Sequence, residues 1–334
     1  MIRNRNRREF FKATAALTTG FCVGSSFSGS LNSGNPAQAE TVSGKNKEEK
    51  DTKKHYPREK VCFNTSCILN YNLGIEEELE LTAAVGFRAV EVWSQRIGVF
   101  LDQGGKLADL KKRADDLGLT IVNGIGFATW IMDEPDKRQE GLETMQREMN
   151  WIAELGGKHI AAPAAGPWNQ RIEGIDVCAE RFRTIMELGD RTGVQPMLEL
   201  WGTSPTLSKL SDVVAIALAT GRSDAALLLD AYHLYRGGNS FDSLALLNGR
   251  ILPVFHLNDY PTAPVDELTD QDRVFPGDGI CPTSNLLRIL HSVGFDGYLS
   301  LELFNPEYQK QMKPLELIKT GFSKMNRALD AAEI

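Results

Sequence analysis

Cysteine and histidine are both scarce in this chain, which has five of each among 334 residues. No two cysteines form a CxxC pair, and their spacing matches no zinc ribbon or redox motif. There is also no run of about eighteen apolar residues, the length that a transmembrane helix needs. These absences exclude a disulfide-rich scaffold, a cysteine-bound zinc module and a stable membrane span.

Basic residues are outnumbered by acidic ones beyond the first 39 residues. The whole chain carries 37 Lys and Arg against 44 Asp and Glu, a formal net charge of −7. Five of the basic residues but only one of the acids lie in residues 1–39, so the remainder carries a net charge of −11. An acidic surface repels phosphate backbones, and we therefore predict no nucleic-acid partner.

The first 39 residues contain the parts of an export signal in the expected order. A twin-arginine sequence, a weakly apolar middle and a small-residue cleavage site follow one another: Arg7-Arg8-Glu9-Phe10-Phe11-Lys12, residues 13–31 and Ala37-Gln38-Ala39. This predicts a signal peptide over residues 1–39, read by the twin-arginine export machinery, and a periplasmic or otherwise exported product. Residues 40–59 are polar and charge-dense, which predicts a flexible linker. The folded domain is expected over residues 60–334.

From Val61 onward, short apolar runs alternate with longer segments of helical periodicity. The runs predict eight strands: Val61–Asn64, Ala89–Trp93, Thr120–Asn123, His159–Ala162, Gln195–Leu200, Ala226–Asp230, Leu252–Asn258 and Tyr298–Leu303. Helices are predicted over Glu76–Val85, Lys106–Leu117, Arg138–Leu155, Ala179–Arg191, Lys209–Ala219, Thr283–Ser292 and Pro314–Ala332. Because parallel strands need crossover helices and a closed ring leaves no free edge, the pattern predicts an α/β fold, a single (β/α)8 TIM barrel.

A doubly wound open sheet is the alternative fold for such an alternation. That fold would place a glycine-rich phosphate loop after an early strand. The nearest candidate, Asn123-Gly124-Ile125-Gly126, is too short for this purpose. The barrel is therefore favoured.

Polar residues mark the ends of four consecutive late strands: Glu199, Asp230, His256 and Glu302. Since the carboxyl ends of barrel strands converge at one mouth, we expect these side chains to meet there. A single carboxylate at a strand end is usually a helix cap or a salt-bridge partner, but four on successive strands are hard to explain in that way. Three carboxylates and one imidazole predict one divalent metal ion, with Mn²⁺ as the first choice and Zn²⁺, Co²⁺ or Mg²⁺ as alternatives.

Tryptophans also lie just past the strand ends or in the loops of the mouth: Trp93, Trp130, Trp168 and Trp201. An aromatic ring there can stack on the face of a sugar, although packing in the core or at the rim explains such residues equally well. We take Trp201, two residues after Glu199, as a predicted substrate contact.

Several motifs resemble the xylose-isomerase-like barrel superfamily of sugar isomerases and epimerases, with inosose isomerases as the nearest likeness. They are Asp230-Ala231-Tyr232-His233, Phe255-His256-Leu257-Asn258-Asp259, Asp272-Arg273-Val274-Phe275-Pro276-Gly277-Asp278-Gly279 and Ser300-Leu301-Glu302-Leu303-Phe304. The resemblance spans nearly all of residues 60–330.

The resemblance implies a role for each site residue. Glu199, Asp230, His256 and Glu302 would be the metal ligands. The two glutamates would also act as acid and base, moving a proton through a cis-enediolate stabilised by the metal. The remaining implied residues would contact the substrate or line its pocket: His233, Arg273 and Glu91.

The expected function is therefore a divalent-metal-dependent isomerase or epimerase of a keto-sugar or keto-inositol. A metal-dependent lyase that dehydrates a keto acid such as 3-dehydroshikimate is the alternative, because it would use the same ligands. A metal-dependent abasic-site endonuclease would need many histidines and a basic face, and this chain has neither. A sugar-binding protein without activity would not need both Glu199 and Glu302. The substrate is expected to be a small polyol or keto-sugar, and the sequence leaves an oligomer open.

Overall fold

The apolar runs form eight parallel strands that close into a barrel in chain order. The computed structural model describes residues 55–334; the predicted signal peptide and linker residues 40–54 lie outside the described residues. The strands are β1 Val61–Asn64, β2 Ala89–Trp93, β3 Thr120–Ile125, β4 His159–Ala162, β5 Gln195–Glu199, β6 Ala226–Asp230, β7 Val254–Leu257 and β8 Tyr298–Leu301. The prediction of a single (β/α)8 barrel is confirmed.

Ten α-helices are present in the described part of the chain. They are α1 Ile75–Val85, α2 Ser94–Asp102, α3 Leu107–Asp116, α4 Pro135–Glu154, α5 Ile175–Thr192, α6 Leu210–Ala219, α7 Ala231–Arg236, α8 Thr283–Ser292, α9 Pro306–Gln311 and α10 Pro314–Ala332. All seven predicted helices are found, with ends shifted by at most four residues. The other three, α2, α7 and α9, have only six to nine residues, too few to show a clear apolar period.

Side chains alternate between the two faces of each strand, which creates two separate cores. The outward side chains pack with the helices into one large apolar cluster. The inward side chains form smaller clusters inside the barrel: Ile125, Ala161, Met197, Ala226, Leu228 and Val254, with Cys62, Ala89 and Val122. Because the side-chain period of a strand is two, Asp230 and His256 share the interior face with Leu228 and Val254. They therefore lie at the carboxyl mouth above an apolar plug.

The strand register determines which polar residues become neighbours. Asp230 is the Cα partner of His256, and His256 is the partner of Ser300, two residues before Glu302. Glu199 pairs instead with Leu228, two residues before Asp230. The stagger of a barrel thus offsets Glu199 from the other three polar residues.

The packing of the barrel begins earlier than the predicted boundary at residue 60. Tyr56 is buried, and its hydroxyl donates to the Gly297 carbonyl at 2.8 Å and accepts from the Leu299 N–H at 3.0 Å. Its ring stacks on Phe295 with centroids 6.2 Å apart. These contacts offset the cost of ordering the chain, so the last residues of the predicted linker are part of the domain.

No helix within residues 55–334 combines the length and hydropathy required to cross a bilayer.

Candidate active site

Asp230, His256 and Glu302 converge at the carboxyl mouth of the barrel. One potential ligand atom from each lies within 4.8 Å of the other two. All three side chains are buried, and His256 Nδ1 lies 3.1 Å from Glu302 Oε2 and 3.8 Å from Asp230 Oδ2. Asp230 is additionally the cap of α7, because its Oδ1 accepts from the His233 N–H at 2.8 Å. Three of the four predicted ligands thus form one group.

The orientation of the His256 ring comes from Glu91, at the centre of β2. His256 Nε2 lies 3.1 Å from Glu91 Oε1, and the Glu91 carboxylate also accepts from Asn123 Nδ2 at 2.6 Å. When Nε2–H donates to Glu91, the lone pair of Nδ1 faces Asp230 and Glu302. That Nδ1 atom is buried and has no hydrogen-bond partner within the described residues. Such an orphaned atom beside two carboxylates fits a cation ligand.

Glu91 does not have the predicted place on the pocket wall. It is fully buried and does not line the cavity at the mouth. The interior face of β2 directs its side chain beneath the site, where it holds His256. Glu91 is therefore a positioning residue for a predicted ligand instead of a substrate contact.

Arg273 bridges the acidic groups of the site from the loop between β7 and α8. Nη1 donates to Glu302 Oε2 at 2.6 Å and to Asp230 Oδ2 at 3.1 Å. Nη2 donates to Asp270 Oδ1 at 2.6 Å and lies 3.0 Å from His233 Nε2. All four terminal N–H groups thus have protein partners. Arg273 lines the cavity, but the groups that were predicted to contact a substrate are directed at the protein.

Hydrogen bonds to Asp259 fix the conformation of the loop that contains Arg273. Its buried carboxylate accepts backbone N–H groups from three residues, Tyr260 at 2.8 Å, Gly277 at 3.0 Å and Cys281 at 2.7 Å. An antiparallel bridge between Asp259 and Val274 adds two backbone hydrogen bonds. The residue next to Arg273 is therefore fixed to the end of β7.

The two predicted catalytic glutamates lie in different electrostatic surroundings. Burial raises the pKa of Glu199 to about 8, although His256 opposes this shift. Burial also raises the pKa of Glu302, but His256 and Arg273 together hold it well below its usual range. For His256, burial lowers the pKa, yet the Glu302 and Glu91 carboxylates raise it well above its ordinary value. Without a cation the ring therefore holds a proton on Nδ1, and a cation bound to the lone pair of Nδ1 would take the place of that proton.

His233 presents a neutral ring to the cavity. Burial and the adjacent Arg273 lower the pKa of His233. Since Nε2 accepts from Arg273, the hydrogen of the neutral ring lies on Nδ1, which has no partner within residues 55–334. His233 therefore lines the cavity as a neutral ring with an unpaired Nδ1–H.

A cavity of about 520 Å³ opens above this group. It is lined by Asn70, Trp93, Ile125, Phe127, Trp168, Glu199, Trp201, Thr203, His233, Asp270, Gln271, Arg273, Glu302 and Phe304. Glu199 thus shares the cavity with Glu302 although it is outside the three-residue group. Trp201 and Trp168 stack with centroids 5.6 Å apart and form an aromatic wall. Trp130, by contrast, is fully buried and donates to the Pro163 carbonyl.

Several residues that were not predicted from the sequence shape the site. Asp270, Phe127 and Phe304 line the cavity. Asn64 and Asn258 are buried and donate to Glu302 Oε1 at 3.0 Å and Asp230 Oδ2 at 2.8 Å. The available signal was an asparagine within or directly after an apolar strand, where a buried amide needs polar partners.

Comparison with known proteins identifies the family to which this barrel and its site belong. The model of the xylose isomerase-like TIM barrels matches residues 79–328. The chain belongs to the xylose isomerase-like TIM barrel family. This family member is 29% identical to inosose isomerase of Bacillus velezensis over 268 residues, which cover 78% of this chain and 94% of the relative.

Two further comparisons show the same likeness. The 3-dehydroshikimate dehydratase of Pseudomonas aeruginosa is 27% identical over 244 residues, covering 70% of this chain but 37% of that protein. A crystal structure of the IolI protein with a bound zinc atom superposes with a TM-score of 0.74 at 23% identity, covering 82% of this chain and 98% of that one. Sugar epimerases are also among the relatives and structural neighbours. The chain is an enzyme of the isomerase and epimerase class.

Proposed function

We propose that this xylose isomerase-like barrel is a divalent-metal-dependent isomerase or epimerase of a neutral keto-sugar or keto-inositol. One observation carries the proposal: Glu199 and Glu302, three strands apart in the ring, both face one cavity beside a group of potential metal ligands. The inosose isomerase relatives support the same reaction class.

Asp230, His256 and Glu302 would hold the metal ion, with Glu199 as the fourth ligand. The unpartnered Nδ1 of His256 and the two adjacent carboxylates support this assignment. Oxygen donors outnumber nitrogen in this set, which favours Mn²⁺, with Zn²⁺, Co²⁺ or Mg²⁺ as alternatives. A divalent cation there would stabilise the negative charge that develops on two neighbouring substrate oxygens.

The two glutamates carry out the proton transfer. One carboxylate removes the proton from the carbon next to the carbonyl; the electrons of the C–H bond form a C=C bond, and the π electrons of the C=O bond move to its oxygen, which gives a cis-enediolate. In an epimerase the other, protonated carboxyl group delivers its proton to the opposite face of the same carbon, and the C=O bond re-forms. In an isomerase it delivers the proton to the former carbonyl carbon, while the hydroxyl proton of the first carbon moves to the neighbouring oxygen and a C=O bond forms at the first carbon. His233 donates from Nδ1 to a substrate oxygen, while Arg273 holds Glu302 in position.

The charge of the cavity favours a substrate without an anionic group. Arg273 is the only Lys or Arg among the described residues that line it. Its terminal N–H groups are already bonded to Asp230, Glu302, Asp270 and His233. Apart from the proposed metal ion, a substrate carboxylate or phosphate would meet further carboxylates and no free Lys or Arg side chain, which is unfavourable in a buried site.

This charge distribution argues against the alternative function, dehydration of a keto acid, although a 3-dehydroshikimate dehydratase is among the relatives. Incubation with 3-dehydroshikimate and Mn²⁺, followed by mass spectrometry, separates the two functions. We expect no loss of water. Turnover of this acid faster than that of any neutral keto-sugar would favour the dehydratase.

Proton exchange in heavy water tests the proposed reaction directly. The enzyme with Mn²⁺ is incubated with keto-inositols, ketohexoses and keto-glycosides, and deuterium incorporation is measured by mass spectrometry. Glu302→Gln should abolish incorporation, whereas Glu307→Gln, the same change at an exposed residue of α9, should leave it unchanged. Normal exchange by Glu302→Gln, or no exchange with any of these sugars, would contradict the mechanism.

We further propose that the enzyme acts outside the cytoplasm after export through the twin-arginine machinery. The twin-arginine sequence and the Ala37-Gln38-Ala39 site support this proposal. Replacing Arg7 and Arg8 with Lys should retain the chain in the cytoplasm, as measured by cell fractionation. Unchanged export would refute it.

A further inference from the structure

A second cavity adjoins the active cavity on the side of β2 and β3. It has a volume of about 530 Å³ and lies between α2 and α4. Three residues line both cavities: Trp93, Ile125 and Phe127. The ring of Phe127 lies 5.3 Å from that of Trp93 and 5.9 Å from that of Trp201, and 41% of its surface is exposed. The two cavities are therefore neighbours separated by an aromatic partition.

The second cavity contains buried oxygen atoms without partners. Ser94, at the start of α2, is 2% exposed, and its Oγ has no hydrogen-bond partner within the described residues. The same is true of Oε2 of Glu148 on α4. Burial raises the pKa of Glu148 to about 7, although the neighbouring Ser94 hydroxyl opposes this shift, so near neutral pH its carboxyl group is about half protonated. Buried polar atoms of this kind need a partner, and a ligand with hydroxyl groups can supply it.

The side chains of Ser94 and Glu148 both lie close to Gly126. A Cβ atom on Gly126 would collide with Glu148 Oε2 and come within 3.4 Å of Ser94 Oγ. The ends of the Glu148 and Ser94 side chains thus lie over the Cα atom of Gly126, beside the partition at Phe127. The polar end of the second cavity therefore lies next to the active cavity.

The remaining walls are aromatic and nearly balanced in charge. Trp93 and Trp151 contribute flat faces, and Arg147 lies over the Trp151 ring at 5.6 Å. Arg147 is accompanied by Asp102 and Glu148, so the cavity contains no excess of positive charge for an anion. Flat apolar faces beside hydroxyl-binding groups suit a sugar ring, which has apolar C–H faces and polar edges.

We propose that this cavity is a subsite for a second, hydroxylated ring that is covalently attached to the reacting ring. The substrate class is then a keto-disaccharide or keto-glycoside instead of a free monosaccharide. This inference rests on the proposed function and names its substrate class. Binding energy from the non-reacting ring would appear in kcat/KM.

Val99→Trp tests the subsite without altering the active cavity. Val99 lies on α2, is 45% exposed and lines only the second cavity of the two, so a tryptophan there obstructs it. Val177→Trp on α5 is the matched control, because Val177 is 39% exposed and lines neither cavity. Deuterium exchange is measured with D-fructose and with its glucosides turanose, leucrose and isomaltulose, in the presence of Mn²⁺.

We expect wild-type kcat/KM to be about tenfold higher for at least one glucoside than for D-fructose, the equivalent of one aromatic or hydrogen-bond contact. Val99→Trp should remove this preference and Val177→Trp should retain it, with exchange of D-fructose equal in all three proteins. Equal rates for all four sugars in the wild type, or a preference that survives Val99→Trp, would overturn the subsite.

A calorimetric titration distinguishes failure of the subsite from failure of the proposed function. The same sugars are titrated into Glu302→Gln protein with and without Val99→Trp. Tighter binding of a glucoside that Val99→Trp abolishes, without proton exchange by the wild type, would refute the reaction and support the subsite. Proton exchange without any preference for a glucoside would refute the subsite alone.

Discussion

Glu78, which lies away from the active site, tests whether burial raises the pKa of a carboxyl group in this protein. The side chain lies on the inner face of α1 and is fully buried. Its only charged partner in the described structure is Arg96, whose Nε lies 3.3 Å from Oε1, and neither oxygen has a hydrogen-bond partner. Burial raises the pKa of Glu78 to about 7, although Arg96 opposes the shift. The folded protein therefore holds a proton that the unfolded chain releases.

The raised pKa implies a loss of stability as the pH rises. Below the unfolded pKa of about 4.5 both states bind the proton, and the stability contribution is complete. Between about 4.5 and 7 only the folded state binds it, so the free energy of unfolding falls. A shift of about 2.5 pH units at 1.36 kcal/mol each gives about 3 kcal/mol, an upper bound because the buried carboxylate can relax.

Glu78→Gln replaces the titrating group with a neutral one of the same shape. We expect the variant to match the wild type at pH 4.5 and to be more stable at pH 8.5. With about 2.1 cal/mol/K of unfolding entropy per residue, 3 kcal/mol corresponds to about 5 °C in Tm for a domain of this size. Differential scanning calorimetry across this pH range measures the difference.

Glu77→Gln is the control for this experiment, since Glu77 is the exposed neighbour on the same helix. The difference in Tm between Glu77→Gln and the wild type should be nearly the same at pH 4.5 and pH 8.5. Any change with pH should be a small fraction of the change seen for Glu78→Gln. If Glu78→Gln shows a constant difference, or is less stable at pH 8.5 than at pH 4.5 relative to the wild type, the buried carboxyl is ionised throughout and the reasoning is wrong.

Three further predictions concern the site and the chain start. Glu91→Gln should weaken metal binding about 10- to 100-fold in a chelator competition, because the amide that replaces the carboxylate is a weaker acceptor for His256 Nε2–H; unchanged affinity would refute its positioning role. Asp259→Ala should lower Tm and expose the Arg273 loop to limited proteolysis, since three backbone N–H groups lose their acceptor at about 1–3 kcal/mol each when unsatisfied; wild-type resistance to protease would contradict this. Mass spectrometry of the exported protein should give a chain that begins at Glu40, and an intact chain would exclude cleavage at Ala39.

Local patterns along the chain were sufficient to predict the barrel. Apolar runs of strand length, helical periodicity and glycines after helices are properties of neighbouring residues, and seven helices and eight strands follow from them. Gly86 and Gly193 end α1 and α5 with φ of 118° and 75°, the left-handed conformation that glycine adopts at a helix cap. The short helices α2, α7 and α9 lack enough turns to show a period. The burial of Tyr56 depends on Gly297 and Leu299, far away in sequence.

The polar residues at the strand ends could also be recognised in the sequence. A carboxylate or imidazole in an apolar run is costly to bury unless an ion, a charge of opposite sign or a hydrogen bond compensates it. Which of those groups meet was decided by the closed barrel. Its register pairs Asp230 with His256 and offsets Glu199, and its interior face brings Glu91 against a ring 165 positions away. Closure of the barrel also brings acceptors from three separate segments around Arg273. Arg273 was predicted to contact the substrate, but its positive charge is paired with the carboxylates of the site. The sequence shows which side chains are polar. The distances between side chains on different strands depend on the strand register and on the pairing of β8 with β1, which closes the barrel.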